Sequence, residues 1–237
     1  MKKDHGHSQS EIETRIGKPP GRGYVRDTVY GAIDGAITTF AIVAGVAGAG
    51  LSAKVIVILG LANVLADGFS MAVGNYSATK AELDDAKRLR KIEERHIREN
   101  PEGERRELRE ILRCKGLEGQ VLEDATAAIS SDEENWIAIM MVDEYGLAPV
   151  DPHPTRAAVA TFLAFLVAGM IPLLPFVLGM TDALVLSTGL TASAFFAVGT
   201  VKSYWSLSPW WRSGLETLAI GGIAAAMAYG VGSLFQV

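Results

Sequence analysis

Five stretches of the chain run almost free of charge: residues 29–51, 55–79, 157–178, 183–201 and 215–237. Each approaches or exceeds about 18 apolar residues, the length that marks a helix able to cross a bilayer. The pattern predicts an all-α polytopic membrane protein with five transmembrane helices. The second stretch departs from the rest. Asn63, Asp67, Met71 and Asn75 recur along it at every fourth position, and residues four apart share a helix face. A carboxylate near the bilayer centre costs about 2.5–3.5 kcal/mol on the mildest insertion scales, so such a group faces a bundle interior, a water path or an ion. The first span carries a second intramembrane acid, Asp34, between Gly31 and Gly35. That glycine pair predicts close approach of a neighbouring helix, and Gly222, Ala226 and Gly230 predict a second seam in the fifth span. Pro172 and Pro175 predict a break at the end of the third span.

The pattern changes at residue 80. Taken from Lys54 to Thr79, the second span is too long for the bilayer: its 26 residues reach roughly 39 Å. Its helix is expected to continue through 81–99, where charges recur at helical spacing, and to stop at Pro101. Further helices are predicted over 102–115, stopped by Gly116, over 118–131 and, capped by Asp132, through Trp136 to Tyr145, stopped by Gly146. The expected organisation is a tail (1–26), spans one and two (27–79), a helical insert (80–153) and spans three to five (154–237). The tail is read as polar and flexible, with Pro19-Pro20-Gly21 as a breaker. Its His5-Gly6-His7 pair is too sparse to define a metal site. Trp205, Trp210 and Trp211, between spans four and five, suit an interfacial aromatic belt.

Charge orients the chain. Of 22 Lys and Arg, all but Lys54 fall on one side of the five-span arrangement. The positive-inside rule then places the N-terminus and the insert in the cytoplasm. The insert holds 19 of the 27 acids against 12 basic residues, a net charge of −7. With −5 overall, nucleic acid is not an expected partner. The single cysteine, Cys114, excludes an internal disulfide and has no catalytic partner signature.

These residues point to metal chemistry. Asp34 and Asp67 offer hard oxygen ligands, and Met71 adds a thioether that shifts preference toward first-row transition metals. In the insert, Glu93, Glu94, Glu99, Glu102, Glu104, Glu107 and Glu110 crowd two successive helices. Glu107 and Glu110 are i,i+3 neighbours, and His96 and Glu99 repeat that spacing one helix earlier. Met140, Met141 and Glu144 follow. Arg95, Arg98, Arg105, Arg106, Arg109 and Arg113 are interleaved with these acids, so plain surface ion pairs remain an alternative. No catalytic residue and no bound cofactor are expected. A membrane-anchored ferroxidase is the alternative enzyme reading and a metal sensor the alternative binding one. A carboxylate-bridged di-iron bundle needs two Glu-x-x-His motifs, and Glu93-x-x-His96 is alone.

Four segments, in order, resemble the vacuolar iron transporter family: Asp34-Gly35; Leu65-Ala66-Asp67-Gly68-Phe69-Ser70-Met71-Ala72-Val73-Gly74-Asn75-Tyr76; Trp136-x-x-x-Met140-Met141-x-x-Glu144-Tyr145-Gly146-Leu147; and Ile171-Pro172-Leu173-Leu174-Pro175-Phe176. The resemblance implies a five-helix protomer working as a homodimer. It implies export of Fe²⁺, often with Mn²⁺, from the cytoplasm in exchange for protons; Zn²⁺ is a further ion that the donors could bind. The membrane is vacuolar in a eukaryote and the plasma (inner) membrane in a prokaryote. By position, Asp34 and Met71 match the intramembrane ion-binding pair. Glu107, Glu110 and Glu144, beside Met140 and Met141, match ligands of an acidic metal-collecting domain. Glu99 matches a further acid whose partner, a Glu in the family, is His96 here. Asn63 stands where plant-type members carry Glu, and Asp67 offers a charge one turn away. Glu102 is a further candidate in the insert.

Overall fold

The structure is a computed structural model that describes residues 8–16, 23–147 and 153–236. The His5/His7 pair, Pro19-Pro20-Gly21 and Asp151-Pro152 lie outside the described residues. All regular elements among them are helices: α1 Gln9–Ile16, α2 Val25–Gly48, α3 Ala53–Glu99, α4 Pro101–Cys114, α5 Gly119–Ser130, α6 Glu133–Asp143, α7 Pro154–Met170, α8 Leu174–Val177, α9 Ala183–Lys202 and α10 Trp210–Leu234. Five segments are long and apolar enough to span a membrane: α2, α3, α7 with α8, α9 and α10. The tail differs from expectation, because it contains α1. Ser8 starts that helix by donating its backbone N–H and its hydroxyl to Glu11, and Gln9 bonds Glu13 one turn on.

The chain divides into two compact units. One comprises residues 23–78 and 153–237 and contains the spans. Here α2 is central and packs chiefly on α7 and α10. Glycine makes this possible: a β-carbon at Gly31 or Gly35 would run into the backbone of Thr161 or Phe165 on α7, and one at Gly48 into Tyr229 on α10. Phe40, Val43, Val46, Ile56, Val64 and Leu173 form the main apolar core. The expected seam on the fifth span is not where α10 packs. Gly222, Ala226 and Gly230 are exposed, and the glycines of close contact are Gly214, Gly221 and Gly232, against Phe196, Phe195 and Gly45. The third span breaks as predicted. After Met170 a 3-10 turn, Ile171–Leu173, carries Pro172, and Ser187 of α9 donates to the Pro172 carbonyl at 2.7 Å.

The other unit comprises residues 79–152, grouped with α1. Its core is Ile97, Leu108, Leu112, Leu122, Trp136, Ile137 and Met140. The breakers act as read from sequence. Asn100 caps α4 by accepting from the Gly103 N–H at 3.1 Å, with Pro101 at the first turn. Gly116 takes φ +92° and Gly146 φ +67° after α4 and α6, a left-handed backbone that glycine adopts without steric cost. Asp132 caps α6, accepting from the N–H of Glu134 at 3.0 Å.

Candidate functional site

Two groups of chemistry-bearing side chains stand out, one in each unit. In the unit of the spans, the four-residue spacing along α3 turns into a coherent face. Asn63, Asp67, Met71 and Asn75 are all half-buried, whereas Leu61, Leu65, Phe69, Val73 and Tyr76 are exposed. Asp34 of α2 is half-buried as well. It lies close enough to Asp67 for the two carboxylates to repel. Asn63 donates to the Thr38 hydroxyl at 3.4 Å, one turn beyond Asp34. At the other end of the stripe, Asn75 Nδ2 lies 2.8 Å from Asp27 Oδ1, 2.7 Å from Thr161 Oγ1 and 3.3 Å from the Ala157 carbonyl. That amide has two hydrogens, so one is shared. The knot joins α2, α3 and α7.

In the other unit, Glu93, His96 and Glu104 bring one ligand atom each to within 4.8 Å of one another. Glu93 and Glu104 are buried, at 1% and 5% exposure. His96 Nδ1 lies 3.4 Å from Glu104 Oε1 and 3.9 Å from Glu93 Oε1. Tyr145 donates its hydroxyl to Glu93 Oε1 at 2.7 Å. The second oxygens, Glu93 Oε2 and Glu104 Oε2, are buried without a hydrogen-bond partner among the described residues. Burying an unmatched carboxylate oxygen is costly, and a cation removes that cost. Burial, then the carboxylates of Glu107, Glu93 and Glu144, push the Glu104 carboxyl up to about 7. Desolvation raises Glu144 too, helped by Glu93 and Glu107 and opposed by its bond to Tyr145 and by His96. The donors are carboxylate oxygens and one imidazole, a set suited to Fe²⁺, Mn²⁺ or Zn²⁺.

The expected insert residues divide. His96 is in the cluster, and Glu107 and Glu144 stand around it, near enough to act on Glu104. Glu99 is exposed. Glu110 is exposed and pairs with Arg113 at 2.6 Å, which holds its carboxyl below the usual range. Glu102 pairs with Arg105 at 2.7 Å. Met140 is fully buried in the apolar core, with Met141 packed at its edge. The family resemblance assigns no role to Glu93 or Glu104. Both carried a readable signal: Glu93 precedes Ile97 by four residues, and Glu104 precedes Leu108 and Leu112 at the same interval. An acid on the apolar stripe of an amphipathic helix is turned inward.

The model of the VIT family matches residues 25–233. This chain belongs to the VIT family. Its similarity to individual members extends over nearly its whole length. It is 36% identical to vacuolar iron transporter 1 of Arabidopsis thaliana over 215 residues, covering 90% of this chain and 86% of that protein. It is 33% identical to vacuolar iron transporter 1 of Oryza sativa subsp. japonica, over 90% and 85% of the two chains. It is also 33% identical to a vacuolar iron transporter of Toxoplasma gondii, over 90% and 74%. As a VIT family member the chain includes both groups of residues within the matched region.

Proposed function

We propose that the protein is a secondary transporter that moves Fe²⁺, and Mn²⁺ as a related ion, out of the cytoplasm in exchange for protons. The named iron transporters among its relatives support the substrate. The observation that carries the reading is the half-buried stripe of α3 set against Asp34. Two acids inside apolar spans are expensive unless an ion or proton compensates them, Met71 beside them adds a soft donor, and a carboxylate that binds both couples metal to proton.

In this reading the N-terminus and the insert are cytoplasmic, and Glu93, His96 and Glu104 collect the metal with Glu107 and Glu144 around them. Met71 and Asp34 form the intramembrane pair, with Asp67 adding charge and Asn63 orienting the Thr38 hydroxyl. Met140 and Met141 stay close to the collecting site as soft neighbours. The working unit is a homodimer. The exposed apolar side chains beside the stripe, Leu65 and Phe69 above all, suit a second copy that closes the ion path. The membrane is vacuolar in a eukaryotic cell and the plasma membrane in a prokaryote. Metal-dependent flux in proteoliposomes tests the reading, run with Fe²⁺, Mn²⁺ and Zn²⁺ and with or without a pH gradient. Uptake of Fe²⁺ that rises with an opposing proton gradient supports it. Binding without flux contradicts it.

A further inference from the structure

A groove of about 370 Å³ opens at the end of the bundle where α2 and α7 begin, lined by Tyr24, Thr155, Arg156, Val159 and Ala160. Its exposed lining is apolar throughout, so Arg156 contributes its aliphatic stem and carries its guanidinium beyond the wall, as arginine does at a membrane boundary. Arg156 directly precedes the apolar run of α7, and Tyr24 precedes that of α2. Both stand at headgroup depth for a chain with these spans. Arg156 is exposed and has no partner among the described residues, and the same holds for Arg26, two residues past Tyr24. The nearby acid, Asp27, is turned into the bundle, where Asn75 bonds it. The starts of two spans add the partial positive charge of their unsatisfied N–H groups. Among the described residues no acid lines the groove.

We infer that this groove holds one anionic glycerophospholipid. Its phosphate sits at Arg156, and one acyl chain lies over Val159 and Ala160. The charge of the rim and the apolar wall below it together match a headgroup above a hydrocarbon chain. A zwitterionic lipid such as phosphatidylcholine offers the same phosphate, but its choline cation offsets the attraction of the basic rim, and a free phosphate satisfies only the rim.

Native mass spectrometry of the full chain in detergent tests this, with phosphatidylglycerol and phosphatidylcholine of identical chains added in turn. A basic side chain near an anionic surface contributes about fivefold in binding, so phosphatidylglycerol is retained about fivefold more strongly. Arg156→Gln abolishes that preference. Ala160→Phe, which fills the groove and keeps the charge, lowers phosphatidylglycerol retention. Lys54→Gln, at the opposite end of the spans, leaves both unchanged. Equal retention of the two lipids overturns the inference. So do a preference that survives Arg156→Gln, an equal loss in Lys54→Gln, and displacement of the lipid by inorganic phosphate.

Discussion

Tyr145, just past the end of α6, donates its hydroxyl to the buried Glu93 of α3 at 2.7 Å. That bond occupies one oxygen of a carboxylate whose other oxygen is buried without a partner among the described residues. It fixes the orientation of Glu93 and leaves the free oxygen for a cation. Outer partners of metal ligands commonly contribute 10–100-fold to affinity. Tyr145→Phe should therefore weaken binding of Mn²⁺ or Fe²⁺ to the full chain by at least about tenfold, measured by titration calorimetry in detergent. Unchanged affinity would show that Glu93 needs no orienting bond.

The acids of the insert should separate sharply on substitution. Glu104→Gln removes a buried ligand and should reduce affinity by more than Tyr145→Phe does. Glu110→Gln breaks only an exposed pair with Arg113, worth about 0–1 kcal/mol, and should change affinity by less than about fivefold. Equal effects of the two substitutions in the same titration would favour a diffuse acidic surface over a built site.

Glu104 also sets a pH dependence. Its value in the fold is about 7 against an ordinary 4.5, so between those values the folded chain binds more protons than the unfolded one. Its contribution to stability is full below about pH 4.5 and is lost as the pH rises to about 7. Metal competes with the same proton, so affinity should increase across that window and level off above about pH 7. Titrations from acid to mildly alkaline pH check this, and Glu104→Gln should flatten the curve. A wild-type affinity independent of pH would contradict it.

Packing makes a prediction of its own. Gly31→Val or Gly35→Val forces side-chain atoms into the α7 backbone, and overpacking of this kind costs about 1–3 kcal/mol or more. Gly222→Ala and Gly230→Ala meet open space and should stay within about 0.5 kcal/mol. Thermal unfolding in detergent distinguishes the pairs. Destabilisation by the second pair would mean that the exposed face of α10 is a packing surface.

The spans, the helix breakers and the α3 stripe were legible in the sequence because each rests on local pattern: long apolar runs, Pro101, Asp132, Gly116 and a four-residue interval. The break at Pro172 was legible for the same reason. The candidate site of Glu93, His96 and Glu104 was only half legible. His96 and its spacing to Glu93 were visible within one helix. The chain turns at Asn100–Pro101, however, and nothing local fixes which face of α4 then meets His96. Glu107 and Glu110 stood out by their i,i+3 spacing, yet Glu104 is the α4 acid turned inward with Leu108 and Leu112. Gly222, Ala226 and Gly230 misled for a related reason. A small-residue interval permits close approach but does not say which helix uses it, and α2 meets α10 at Gly232 instead.

In the proposed cycle ions cross beside Asp34, where α2 faces the polar stripe of α3. Fe²⁺ flux into proteoliposomes under an opposing proton gradient tests it most directly, comparing the wild-type chain with Asp34→Asn. The substitution keeps the side-chain shape and removes the charge that metal and proton share. Flux should fall to the level of protein-free liposomes while the chain elutes from gel filtration as the wild type does. Undiminished, proton-coupled flux through Asp34→Asn would contradict it.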